Sequence, residues 1–170
     1  LRPYTEIENA VGKLSGRKKM LIDPERLSYA LYKLIPDETE MIEKENPEII
    51  MKSVKNDIET EHIRRAHLKD AAAHTKFIYW LKENIGKTEI TERSASARLE
   101  EFRKEQDGYL GPSFEPISAY YEHGAIVHYS ASKESDARLE KGHFLLTDTG
   151  GHYKDGSTDI TRTVALGEVS

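Results

Sequence analysis

The chain has 170 residues, enough for one ordinary domain or for pieces of two. Charged residues make up 32% and the net charge is −5, with lysine and arginine dispersed along the chain, so composition argues against a nucleic-acid partner. There is no cysteine, which excludes disulfides and thiolate ligands and fits a reducing compartment, and no apolar run approaches the ~18 residues of a membrane span. No signal peptide is visible; the chain begins at Leu1 and stops at "GEVS", just past a strand-like run, so the expectation is a fragment of a longer protein.

"KKMLID", Lys18 to Asp23, predicts a short strand. "DPERLSYALYKLI" predicts a helix, with Asp23 as its cap and Pro24 at the first helical position, where a missing N–H costs nothing. Leu27, Leu31 and Leu34 fall on one face, and Pro36 ends the run. "MIEKENPEIIMKSV" reads as extended, interrupted at Asn46-Pro47. Strand, helix, strand makes residues 1–51 the C-terminal part of an α/β domain.

The character changes at Lys52, and a second domain is expected over 52–170. Asn56 followed by Glu59 is a capping box. No Gly or Pro intervenes from there to Ile85, while Ile63, Ala66, Ala73, Phe77 and Trp80 recur at helical spacing and Gly86 offers a stop. Such a helix would be roughly 40 Å long and needs a broad partner surface. A second helix, 91–106, turns Ala95, Leu99 and Phe102 inward and ends at Gly108. "SFEPISAYY", "GAIVHYSA", "HFLLTDT" and "STDITRTVAL" then predict strands, and Asp155-Gly156 in "KDGS" predicts a hairpin turn.

The hairpin "DTGGHYKDGSTD" concentrates acids: Asp148, Asp155 and Asp159. An aspartic protease needs two Asp-Thr-Gly loops sharing one proton, and this chain has one, preceded by two long helices. A calcium loop needs alternating oxygen ligands, a central Gly and a terminal Glu, a spacing that is absent. Asp155, beside Gly156, reads as a turn former. Asp148 ends the apolar run Phe144-Leu145-Leu146, and Asp159 sits among β-branched residues; acids in such strands are costly without a cation or donors. The bland alternative for both is a solvated hairpin. If the turn centres on Asp155-Gly156, the two acids share a face but stand four residues apart, roughly 13 Å, so the metal reading requires a register shift, expected as a bulge at Thr149–Gly151.

"DTGGHYKDGSTDITRT" resembles the metal-binding strand pair of the pita-bread metallopeptidases, and its Asp-Ile-Thr-Arg-Thr ending resembles the aminopeptidase P and prolidase branch. "GAIVHYSA" is similar to the segment carrying that branch's substrate-side histidine, and "VKNDIETEHIRRAHLKDAAAHTKFIYWL" to the first catalytic-domain helix of the three-domain, cytosolic type of aminopeptidase P. Three separated motifs agree in order and spacing, over about Asp23 to Val169. The resemblance implies an α+β fold: the N-terminal half of a pita-bread (creatinase/aminopeptidase-like) domain, preceded by the tail of an α/β domain. It implies Asp148 and Asp159 as metal ligands and His128 as a contact to the substrate or its tetrahedral intermediate. The family's remaining histidine and two glutamate ligands lie further along the family's chains, so the site is expected to be half present and the fragment inactive alone. His143 and His152 match no ligand position.

The activity implied is a metal-dependent exopeptidase that releases the N-terminal residue from peptides with proline second, working with two divalent ions, manganese first and cobalt or zinc as substitutes. The alternatives are a prolidase acting on X-Pro dipeptides and a peptide-binding module of the same fold that has lost its ligands. A cytoplasmic homodimer, with neither nucleic acid nor membrane as partner, completes the expectation. Thr161 and Thr163 could orient carboxylates but read more simply as strand threonines. His67, Asp70 and His74 read as helix-surface or packing residues, Trp80 as core, His123 as a loop residue, and Glu59, Glu61, Arg64 and Arg65 as a solvated face.

Overall fold

Residues 1–14 and 19–169 are described in a computed structural model. They fall into two units, Leu1–Lys55 and Asn56–Ser170. In the first, a 3-10 turn at Tyr4–Glu6 leads into helix α1 (Ile7–Gly12), strand β1 (Lys19–Ile22), helix α2 (Tyr29–Tyr32), strand β2 (Glu40–Glu43) and helix α3 (Pro47–Ser53). β1 and β2 pair in parallel, from Lys19↔Glu40 to Ile22↔Glu43, so the chain between them is a crossover, as the strand–helix–strand order predicts. Lys18, the first residue of the predicted strand, lies outside the described residues.

Two local expectations are corrected in this unit. The helix predicted from Asp23 shrinks to one turn, α2, capped by Ser28, whose Oγ accepts from Leu31 N at 3.4 Å. Asp23 is occupied elsewhere: its carboxylate accepts from Glu25 N at 3.1 Å in a tight turn and from Asn46 N at 2.9 Å across the crossover. The extended stretch after β2 is also a helix. Asn46 Oδ1 accepts from Glu48 N at 3.0 Å, and Pro47 takes the first helical position. The Asn-Pro pair that reads as a break between strands is a helix start.

In the second unit the capping box forms as encoded. Asn56 Oδ1 accepts from Glu59 N and Glu59 Oε2 accepts from Asn56 N, both at 2.9 Å, and helix α4 runs Asp57–Asn84. Its 28 residues span roughly 42 Å by the rise of 1.5 Å per residue. Gly86, at φ +74°, carries the chain out of the helix in the left-handed conformation only glycine adopts without strain. Thr91 caps α5 (Glu92–Lys104), and Gly108 at φ +75° follows it.

Two antiparallel sheets follow. One orders β3 (Tyr109–Pro112), β6 (Gly151–Tyr153) and β7 (Gly156–Ser157); the other orders β4 (Ile117–Tyr120), β5 (Phe144–Thr149) and β8 (Ile160–Ala165). Along β5, Leu145, Thr147 and Thr149 are buried while Phe144, Leu146 and Asp148 are not. The buried side joins the helices: Ala73, Phe77, Leu81, Ala95, Leu99 and Phe102 pack with Tyr120, Leu145, Val164 and Leu166 in one core. Trp80, expected inside, is half-buried at the edge of that core.

The strand predicted over "GAIVHYSA" does not form. Tyr121–Ala125 is a short 3-10 helix, and residues 126–131 carry no regular structure. The reason is Glu92, fully buried at the start of α5. Its carboxylate accepts from Tyr120 N (2.7 Å), Tyr129 Oη (2.8 Å) and Ala137 N (3.1 Å), and lies 2.9 Å from His123 Nδ1. The segment curls around one carboxylate instead of extending along a neighbour.

Candidate metal site

The acidic hairpin keeps one register across two ladders that meet at Gly150. β5 and β8 pair from Phe144↔Ala165 to Thr149↔Ile160, and β6 and β7 continue with His152↔Ser157 and Tyr153↔Gly156, without a residue gained or lost. The turn therefore centres on Lys154-Asp155, one residue earlier than predicted. Moving a turn by one residue moves the pairing by two. Asp148 stands opposite Thr161, and Asp159 is two residues from that pair, not four. The offset is roughly 7 Å along the strand, and alternation carries Asp159 to the face that holds Thr161 and Asp148.

The bulge expected at Thr149–Gly151 is thus absent from this ladder; the register shift of the neighbouring sheet lies on β3, between Tyr109 and Gly111. Gly150 and Gly151 serve close approach instead. A Cβ on Gly150 would stand 2.0 Å from the Thr158 carbonyl oxygen and 2.2 Å from Ser113 Oγ. One on Gly151 would meet the Tyr109 and Tyr153 rings at 2.9 Å. The Gly-Gly pair lets the strands touch where the acids converge.

Asp148 is half-buried, and its Oδ1 accepts from Thr161 Oγ1 at 2.8 Å, so Thr161 orients this carboxylate and is more than an ordinary strand threonine. Thr163 makes no such bond. Asp159 is exposed, with no ion pair and no side-chain hydrogen bond among the described residues. Asp155 contrasts with both. It bonds Lys69 Nζ at 2.5 Å and pairs with Arg65 Nη2 at 3.2 Å, and the lysine bond, with both charges, holds its carboxyl below the usual range. Arg65 is therefore committed to the turn and is not simply solvated.

Two hard carboxylates on one face, neither neutralised by a cation, fit a divalent metal ion, and they fill only part of its coordination shell. Among the described residues no three His, Asp or Glu side chains gather around one point. His128 is exposed on the segment after the 3-10 helix, at φ +57°, an uncommon conformation for a residue with a side chain. It makes no hydrogen bond to either acid. The 3-10 helix before it packs on β4 and β5, which sets the segment beside the sheet that carries Asp148. His143 packs against Tyr121, ring centroids 4.2 Å apart, and His152 bonds Ser157 Oγ at 2.6 Å. His67 bonds the Ile63 carbonyl of its own helix.

Behind the hairpin lies a polar core that the sequence reading did not anticipate. Asp70 of α4 and Arg103 of α5 are both buried and form a two-pronged pair: Nε to Oδ1 at 2.6 Å, Nη2 to Oδ2 at 3.2 Å. Tyr153 Oη and Thr158 Oγ1 donate to the same carboxylate, and Arg103 Nη2 donates to Thr149 Oγ1. Burial alone would raise the Asp70 carboxyl, but the hydrogen bonds from Arg103 and Thr158 and the guanidinium charge outweigh it and hold the group below its ordinary value. His74, one turn along α4, is buried with neither ring nitrogen bonded. Burial, then the Arg103 charge, pushes its pKa down to about 4. Asp70 and His74 are packing residues as expected, but Asp70 is a buried charge and not a helix-surface one. Glu92 and Arg103 left no distinctive signal: an acid in the first turn and a base in the last are ordinary helix ends.

The helical pair α4 and α5 thus backs sheets whose open face carries Asp148 and Asp159. The sequence pattern of metallopeptidase family M24 matches residues 61–170, and that of the creatinase/prolidase N-terminal domain matches residues 1–59. The chain belongs to metallopeptidase family M24. It is 39% identical over 171 residues to Xaa-Pro aminopeptidase 2 of Sus scrofa, covering 100% of this chain and 25% of that protein. The X-prolyl aminopeptidase of Caenorhabditis elegans, described as a cytosolic enzyme with a di-nuclear active site, superposes with a TM-score of 0.89 at 30% identity, over 99% of this chain and 29% of that one. The X-Pro aminopeptidase of Thermotoga maritima superposes with a TM-score of 0.77 at 27% identity, over 99% of this chain and 46% of that one. The mixed helix-and-sheet architecture is that of the pita-bread domains, and the chain spans about a quarter of the length of the curated relatives it matches.

Proposed function

We propose that Asp148 and Asp159 are metal ligands, and that the full-length protein is an Xaa-Pro aminopeptidase releasing the N-terminal residue from peptides with proline in second position. One observation carries the reading: the continuous hairpin register sets these two acids, both without a cation, two residues apart on one open face. Residues 1–51 then form the C-terminal part of a preceding α/β domain, and 52–170 the N-terminal half of the catalytic domain. The family matches and the relatives' names support this assignment.

Asp148 and Asp159 would hold two divalent ions together with ligands from the rest of the protein. Thr161 fixes which oxygen of Asp148 points forward. When bound, such ions polarise the scissile carbonyl and lower the pKa of water. His128, on its exposed segment, would donate a hydrogen bond to the oxygen that gains charge as the carbonyl is attacked. Manganese as the native ion, a cytoplasmic location and a homodimeric state extend the same reading from the family resemblance. No helix among the described residues is long and apolar enough to cross a membrane.

The test is Asp159→Ala in the full-length protein, with metal content and cleavage of an X-Pro peptide measured together. Both are expected to be lost. A variant that keeps its metal and its turnover would remove Asp159 from the site.

A further inference from the structure

Asp148 and Asp159 each adjoin a buried threonine. Thr149 follows the first acid and Thr158 precedes the second, and they are 1% and 2% exposed. Along β5 neighbours point to opposite faces, and between β7 and β8 Thr158 is buried while Asp159 is exposed, so each acid looks out while its threonine looks back. Both threonine hydroxyls reach the same ion pair. Arg103 Nη2 donates to Thr149 Oγ1 at 2.9 Å, and Thr158 Oγ1 donates to Asp70 Oδ2 at 2.5 Å. Thr158 Oγ1 also accepts from Gly151 N at 2.9 Å, which ties the second strand to the first.

We propose that the buried Asp70–Arg103 pair is a positioning device for the metal site: acting through Thr149 and Thr158, it sets the spacing of Asp148 and Asp159. The inference rests on the ligand reading of those two acids. Its physical basis is the choice of a charged pair at this place. A buried ion pair stabilises a fold no better than well-packed apolar side chains of the same volume, so stability alone does not call for one. A guanidinium fork on a carboxylate does supply fixed directions; here the guanidinium's remaining donor holds Thr149 of the first strand, and the carboxylate also accepts from Thr158 of the second strand and Tyr153 of the first. The fork joins α4 to α5, so the two acids are referred to one rigid unit rather than to each other across a flexible turn.

Replacing Asp70 or Arg103 risks the fold, so the test uses the threonines. In the metal-free full-length protein, Thr149→Val and Thr158→Val remove one hydroxyl each at nearly constant volume, and Thr→Ser at each position restores it. Mn2+ affinity is measured by calorimetry, the Co2+ visible spectrum reports ligand geometry, and thermal unfolding of the metal-free protein reports stability. Both valine variants are expected to lose about ten- to a hundredfold in Mn2+ affinity and to show altered Co2+ bands, while both serine variants stay near wild type. Asp159→Asn is the reference for loss of a ligand. Valine variants that unfold at lower temperature but bind Mn2+ and Co2+ like the wild type would overturn the positioning role and leave the ligand reading intact. If Asp159→Asn also binds like the wild type, the ligand reading fails and the inference falls with it.

Discussion

The hairpin treats charge differently on its two faces. Behind it, Asp70 is fully buried and every neighbour answers it: two prongs of Arg103, two hydroxyls and no solvent. In front, Asp148 has one hydroxyl partner and Asp159 has none. At the tip, Asp155 is answered by Lys69 and Arg65. Asp70 and Asp155 are paired with cations, whereas Asp148 and Asp159 have none among the described residues and face away from the helices.

Four experiments in the full-length protein would break or sharpen that contrast. The largest effect belongs to the covered face. Arg103→Met leaves Asp70 buried without its cation and is expected to destabilise by about 3–5 kcal/mol in denaturant unfolding, with much of the loss recovered in Asp70→Asn/Arg103→Met. No recovery in the double variant would mean that Arg103 matters by its packing and not by its charge. On the open face, His128→Ala is expected to slow turnover about a hundredfold, on the order of 3 kcal/mol, with metal content unchanged. Loss of metal would make His128 a ligand; unchanged turnover would make it a plain loop residue.

His74 gives a pH-dependent test of the covered face. Its folded pKa lies near 4, below the ordinary 6.5, so the folded state prefers the neutral ring. The stability this contributes is complete above pH ~6.5 and is lost as pH falls toward 4, a loss of about 3 kcal/mol at most. His74→Leu is expected to flatten the unfolding free energy across that window; an unchanged pH slope would show that other groups carry it. The smallest effect belongs to the tip. Asp155→Ala is expected to lower the unfolding midpoint by no more than about 2 °C, and by less in 1 M salt, because its partners are only partly shielded.

The elements with strong local signals were legible in the sequence: the Asn56–Glu59 capping box, the glycines that close α4 and α5, and the strands around Asp148 and Asp159. The misreadings share a cause, a residue engaged by something distant in sequence. Asp23 spends its carboxylate on Asn46 and not on a helix start. "GAIVHYSA" has the composition of a strand but is bent by Glu92, about thirty residues earlier. The turn was misplaced by one residue because Asp-Gly is a strong hairpin signal, while here Asp155 holds the last loop position and Gly156 opens β7. That single residue is the difference between acids four residues apart and acids two residues apart in the same register. The buried pair at Asp70 and Arg103 had no local signature, since each residue type is common on a helix surface.

Glu92 also bears on how the molecule opens. The segment from Tyr120 to Ala137 has almost no ladder of its own, and its two ends and two of its side chains converge on one carboxylate. The four contacts to one carboxylate hold both ends and the middle of the segment, so loss of the Glu92 carboxylate would release all four together.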